Sequence, residues 1–201
     1  KDAEDRVNGS GGPGVISVRK APYEDATVIL FKKGVPPSMP LNEKEGVLLQ
    51  LRRNTPETGE RLRSHHYLNK MAAKREIGPS PQREGIFLTK EDHLCEGITS
   101  NLFWVKDADL YTPAVETGLL NGITRQFILA LADRIQMGVR VGMFEQERLL
   151  GADEVFFTNS VQEIIPVNRI DSMSFPGRNG MYTGLLHERY SQYTGRLNSK
   201  I

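Results

Sequence analysis

The sequence predicts an α+β (mixed α/β) fold, and three observations carry that prediction. Short apolar, β-branched or aromatic runs recur along the chain, as at Ala26–Phe31 and Leu102–Val105. They are interleaved with only a few stretches of helical spacing, and Gly, Pro or Asn marks the joins. No segment repeats another. Strands mixed with a few helices argue against an all-α bundle and against a sandwich. At 201 residues the chain can bury one good core, or one domain plus part of another.

Taken in order, residues 1–14 are polar and end in a glycine-rich stretch, Gly9 to Gly14, read as a flexible turn. No Gly-Lys-Ser/Thr follows it, so it is not read as a phosphate loop. Ala26–Phe31 reads as a buried strand. Gly34–Pro40 carries three prolines and marks a stiff connector, giving three expected parts: 1–33, a linker at 34–41, and a main domain at 42–201. The first 33 residues are too few for a core, and they look like the tail of a small domain whose beginning lies outside this sequence. Gly46–Leu51 is the next strand. From Arg63 to Ile77 the spacing turns helical, with Leu68, Met71, Ala72 and Arg75 on one stripe and Gly78-Pro79 as the stop. Strands follow at 85–89, 101–106 and 109–112. A second helix, 124–137, places Phe127, Leu131 and Ile135 together and is expected to close on Gly138. The stretches 139–143, 154–158 and 164–169 are strand-like, 145–150 is a short helix, and 185–193 is a terminal one.

Composition excludes several classes. The 26 basic and 25 acidic side chains nearly cancel and are scattered, so no field favours nucleic acid or an anionic membrane surface. The pairs Lys32-Lys33 and Arg52-Arg53 read as solvated strand ends. No apolar run reaches the roughly 20 residues of a membrane helix. One cysteine, Cys95, excludes an internal disulfide, suits a reducing compartment, and reads as a small buried hydrophobe. A cytoplasmic protein without a metal is expected.

Two glycine-marked turns carry the chemistry. Glu96-Gly97-Ile98-Thr99-Ser100-Asn101 offers a carboxylate and small polar groups, with Gly97 leaving room beside Glu96. Leu120-Asn121-Gly122-Ile123-Thr124-Arg125 ends at the head of a helix, where free backbone N–H groups and the Thr124 hydroxyl suit an anion. Thr158-Asn159-Ser160 adds a third polar cluster at a strand end. Together they suit a ligand with a basic ring nitrogen and a phosphate. Taken singly, each has a plainer reading: a surface charge, an ordinary N-cap, a turn.

Their joint order resembles the class IV (fold-type IV) pyridoxal-phosphate enzymes, which include branched-chain and D-amino-acid aminotransferases and 4-amino-4-deoxychorismate lyase. The likeness spans about residues 42–193. Glu96–Phe103 is similar to the segment bearing the glutamate that meets the ring nitrogen. Gly118–Arg125 is similar to the phosphate turn, with Ile123 and Thr124 as donors. In Ala152–Val167, Ser160 would meet the phosphate, and the Ser160–Val161 backbone would face the substrate carboxylate. Tyr67 aligns with a tyrosine that bonds the cofactor's phenolic oxygen. Around Arg63–Leu68 and Ala73–Ile77 the wording is most similar to bacillar aminodeoxychorismate lyases.

The resemblance implies pyridoxal 5'-phosphate as cofactor, a small-molecule substrate and a homodimer. It implies a lyase that releases pyruvate from 4-amino-4-deoxychorismate to leave 4-aminobenzoate, a folate precursor. An aminotransferase is the neighbouring alternative, and a degenerate, non-catalytic homologue is the other. The sequence departs from the family where its reactive lysine should stand, because Arg63 occupies that place and stays protonated. Lys70 lies seven residues on, roughly 10 Å along a helix, so neither it nor Lys74 is expected to replace that lysine. The family's small N-terminal domain, with an arginine that clamps the phosphate, is expected to be mostly absent.

Overall fold

The computed structural model describes residues 4–10, 27–33 and 41–198, with side chains described from 41 to 193. The chain divides into two compact units, Lys1–Pro40 and Leu41–Ile201. In the first unit, β1 (Glu4–Ser10) and β2 (Thr27–Lys33) pair antiparallel, from Glu4 opposite Lys33 to Ser10 opposite Thr27. The stretch read as polar and flexible therefore begins with a strand. A ladder needs only backbone partners, so a polar segment can form one. Gly11–Gly14 and the proline-rich connector 34–40 lie outside the described residues.

The second unit is built on a nine-stranded mixed sheet. Its elements run β3 (Lys44–Leu48), α1 (Leu68–Ile77), β4 (Arg83–Leu88), β5 (Leu94–Gly97), β6 (Asn101–Lys106), β7 (Asp109–Pro113), α2 (Ile123–Arg134), β8 (Val139–Gly142), α3 (Gln146–Leu150), β9 (Glu154–Asn159), β10 (Glu163–Ile170), β11 (Met173–Ser174) and α4 (Met181–Asn198). The strand order is β5-β4-β3-β10-β9-β6-β7-β8, with β11 paired to β10. The pairs β3/β4, β3/β10 and β7/β8 are parallel, and the others are antiparallel. The sheet curls until its ends meet: His93 bridges Glu145, and the Leu94 N–H donates to Phe144 O at 2.7 Å.

Alternation of side chains across the pleat fills both faces. Leu102 and Trp104 of β6 join Val155 and Phe157 of β9 and Ile86 and Leu88 of β4 inside the curl. Phe103, Val105 and Phe156 point the other way, onto Ile128, Leu131 and Ala132 of α2 and Leu186 of α4. A third cluster seats Ala73 and Ile77 of α1 on Phe87, Cys95 and Ile98. Each large side chain so buried contributes roughly 1.5–3 kcal/mol.

Three local expectations are corrected. Helix α1 begins at Leu68, not near Arg63, because the Ser64 and Tyr67 N–H groups turn back to Leu62 O and His65 O, two residues earlier, which no helix permits. Its buried residues are Ala73 and Ile77, while Leu68 (85% exposed) and Met71 of the expected stripe face solvent. Helix α2 ends before Gly138. The Met137 N–H reaches Ala132 O and the Gln136 N–H reaches Asp133 O, with Gln136 in the left-handed region (φ 56°), a Schellman ending without glycine.

Candidate functional site

The two turns singled out in the sequence are bonded to one another. Glu96 is not in a turn: it is the third residue of β5 and 2% exposed. Its Oε2 accepts the Leu120 N–H at 2.9 Å, so the carboxylate holds the segment that leads into α2. Asn101, at the start of β6, holds the same residue from the other side, its Nδ2 donating to Leu120 O at 2.7 Å. Its sheet partner on β9 is Thr158, which brings the third cluster to the same place. The sequence offered Asn101 only as the end of a turn; its part as the joint of three segments depends on strand pairing.

The other Glu96 oxygen corrects a second reading. Arg53 is no solvated strand end. It is 4% exposed, and its Nε donates to Glu96 Oε1 at 2.8 Å. Its Nη1 donates to Asn54 Oδ1 and Asn69 Oδ1, both at 2.7 Å, and its guanidinium lies 5.2 Å from the Phe87 ring centroid. Arg61 stands behind it, 4.0 Å from Glu96, donating to Gly118 O and Asn54 O. No local sequence pattern marks either arginine, since their partners lie up to 57 residues away.

Gly97 is required by its own turn. A Cβ there would sit 2.1 Å from Ser100 Oγ and 2.9 Å from Glu84 Oε1. Buried Glu84 accepts the Thr99 N–H at 2.7 Å and the Ser100 hydroxyl at 2.8 Å, fixing the bend between β5 and β6.

The head of α2 presents its backbone N–H groups without a side-chain cap. Gly122 is the extended N-cap and supplies no side-chain cap, so the first N–H groups of the helix await an acceptor. A Cβ on Gly122 would meet Asn101 Oδ1 at 2.4 Å, so only glycine permits the approach. Ile123 is 84% exposed, and Thr124 is buried with its side chain hydrogen-bonded to Tyr190. Burial pushes the Tyr190 hydroxyl up, and that bond to Thr124 opposes the shift. Ser160 stands exposed just past β9. The Val161 N–H donates to Asn159 Oδ1 at 3.0 Å, closing an Asx turn. Arg63 and Tyr67 are exposed in the non-helical segment before α1. Because that segment is not helical, reckoning by helical rise from residue 63 does not place Lys70.

Chemically, the donor set fits a phosphorylated pyridine. The helix head offers N–H donors, and the buried Thr158 Oγ1 has no partner among the described residues. Glu96 uses one acceptor site on each oxygen of the roughly four a carboxylate has. Cys95, between Leu94 and Glu96, donates to Thr117 O, and burial pushes its thiol up to about 12, which leaves it protonated and unreactive. Among the described residues no group of His, Cys, Asp and Glu is arranged to hold a metal, and no helix is long and apolar enough to cross a membrane.

The family model for amino-transferase class IV matches residues 3–170. The aminodeoxychorismate lyase of Bacillus subtilis (strain 168) is 45% identical over 192 residues, which are 95% of this chain and 65% of that enzyme. The chain thus spans just under two thirds of that relative's length. A T.th. branched-chain amino acid aminotransferase, solved with N-(5'-phosphopyridoxyl)-L-glutamate, superposes with a TM-score of 0.80 at 25% identity, over 96% of this chain and 64% of its own. The 4-amino-4-deoxychorismate lyase of Pseudomonas aeruginosa gives 0.79 at 24% identity, over 94% and 70%, which is a likeness of fold.

Proposed function

The chain belongs to the aminotransferase class IV family, and from that premise we propose that it is the main part of a pyridoxal-phosphate lyase. The substrate in this reading is 4-amino-4-deoxychorismate, and the products are 4-aminobenzoate and pyruvate. The observation that carries the cofactor assignment is the bond from the Leu120 N–H to Glu96. It couples the carboxylate suited to a ring nitrogen with the turn suited to a phosphate. The 45% identity to a lyase favours that reaction over amino transfer.

When bound, the cofactor's protonated pyridine serves as an electron sink. The protein's own residues hold it there. Glu96, fixed by Arg53 and Leu120, would meet the ring nitrogen. The Ile123 and Thr124 N–H groups and the Ser160 hydroxyl would hold the phosphate, and Tyr67 would hold the phenolic oxygen. The Ser160–Val161 turn orients the substrate carboxylate. Arg63 stands where the family's amine would be and cannot act as a nucleophile, which favours, as a second reading, a homologue that binds the cofactor without turning over. A homodimer in the cytoplasm goes with either reading, and the one buried free cysteine suits that compartment.

Equilibrium dialysis against pyridoxal phosphate tests the first step. Saturable binding that inorganic phosphate competes away is expected, with Glu96→Gln weakening it. No saturable binding would sink the cofactor assignment. Formation of 4-aminobenzoate from 4-amino-4-deoxychorismate separates lyase from aminotransferase, and bound cofactor with no product of either kind points to the non-catalytic homologue.

A further inference from the structure

We propose that Lys70 is the carbonyl-reactive amine of this chain, the side chain that condenses with an aldehyde. The inference rests on the cofactor reading above for the identity of that aldehyde, but its geometry stands on its own. Lys70 is the third residue of α1, in the first turn, where unsatisfied N–H groups disfavour a positive charge and where no acidic side chain is present. Ala73 and Ile77, the buried residues of α1, lie three and seven positions further on, so Lys70 shares the inward face. Its neighbour Asn69 is the acceptor for Arg53, which in turn holds Glu96. Lys70 is half-buried as a residue, and among the described residues no hydrogen bond or ion pair engages its amine.

The charged groups that act most on it are Glu96, Arg53, Arg63 and Arg61. Three are cations, and the single carboxylate is already bonded to Arg53. Of the four nitrogen bases gathered there, only the amine can give up its proton, because a guanidinium does not. Burial pushes the Lys70 ammonium down, the arginines push the same way, and Glu96 opposes them. A desolvated lysine beside other cations is the arrangement that makes an amine nucleophilic near neutrality. Lys74, one turn on, donates instead to Arg83 O at 3.4 Å.

The step balances without a further reactant. The Nζ lone pair attacks the carbonyl carbon, and the C=O π pair moves to oxygen. The two hydrogens of the neutral amine leave with that oxygen as water, and C=N replaces C=O.

The whole chain is treated over a pH series with formaldehyde and cyanoborohydride, and separately with pyridoxal phosphate and borohydride. Labelled lysines are then mapped by peptide mass spectrometry. Lys70 should take several-fold more of both labels than Lys74, and Lys70→Arg should abolish labelling of that peptide while leaving Lys74 unchanged. If formaldehyde selects Lys70 and pyridoxal phosphate does not, the amine assignment stands and the cofactor reading falls. If neither reagent favours Lys70, the assignment is overturned, and saturable binding in the dialysis experiment would still uphold the cofactor reading.

Discussion

Arg53 and Glu96 form an ion pair in the interior, with Nε and Oε1 2.8 Å apart and both side chains 3% exposed. The pair also ties five segments together, its own two included. Asn54 and Asn69 bind the guanidinium, Phe87 lies against it, and Leu120 binds the far oxygen of the carboxylate.

Removing one member of such a pair is worse than removing both, because the survivor is left buried and uncompensated. Arg53→Ala should therefore destabilise the fold by about 3–5 kcal/mol, read by chemical denaturation. Adding Glu96→Leu to Arg53→Met should give a double variant much less destabilised than the sum of the single losses. Additive losses would mean that the two side chains act independently.

Gly122 and Asn101 are matched in size. Gly122→Ala places a methyl 2.4 Å from Asn101 Oδ1, on a side chain pinned by its bond to Leu120 O. The added methyl should lower stability by about 1–3 kcal/mol and weaken binding of pyridoxal phosphate by shifting the head of α2. Truncating the neighbour, Asn101→Ala, should relieve part of the clash, so the combined variant should again fall short of the sum. If Gly122→Ala binds the cofactor as the parent does, the turn is not where the phosphate sits.

What was legible in the sequence was whatever depends on near neighbours. The strand at 101–106, the stop at Gly78 and the short helix before Leu150 all follow from local pattern. Glu96, Gly122 and Thr124 were singled out by the two glycine-marked turns, and the family likeness supplied the roles expected of them. Arg53 and Arg61 were not, since a charge next to a strand looks solvated until a carboxylate from 43 residues away is folded against it. Helix α1 misled for a related reason. Its apolar spacing lay on the outer face, and its inward face is set by small Ala73 and terminal Ile77. The strand β5 was missed because Glu96 read as the start of a glycine-marked turn, although burial of all four of its positions makes a charged residue there a partnered one.

Cys95 supplies a test in the alkaline range. Its thiol is raised from 9.0 to about 12, chiefly by burial and next by the Glu96 charge. Between those values the folded chain keeps a proton that the unfolded chain has released. Stability from this residue is therefore complete below about 9 and declines as pH rises toward about 12. Cys95→Ala should flatten that decline in a series of denaturation curves. At neutral pH the native thiol should resist dithionitrobenzoate and react at once in denaturant. Fast labelling of the native protein would contradict the buried placement.

Glu154 closes the structure at the opposite end of the sheet. It begins β9, is buried, and caps α4 from outside the helix. Its Oε1 accepts the Tyr182 N–H at 2.9 Å, and its Oε2 accepts both the Thr183 N–H and the Thr183 hydroxyl at 2.7 Å. A carboxylate at a helix N-terminus gains from the dipole as well as from these bonds. Glu154→Ala leaves three donors without a partner and should destabilise by about 2–3 kcal/mol. Glu154→Gln keeps one acceptor oxygen and should fall between Ala and the parent. Leu186 and Tyr190 seat α4 on the same core as α2, so native hydrogen exchange should show α4 loosening first in the Ala variant. Uniform loss of protection through α2 and the sheet would instead mean that Glu154 supports the global fold rather than the docking of one helix.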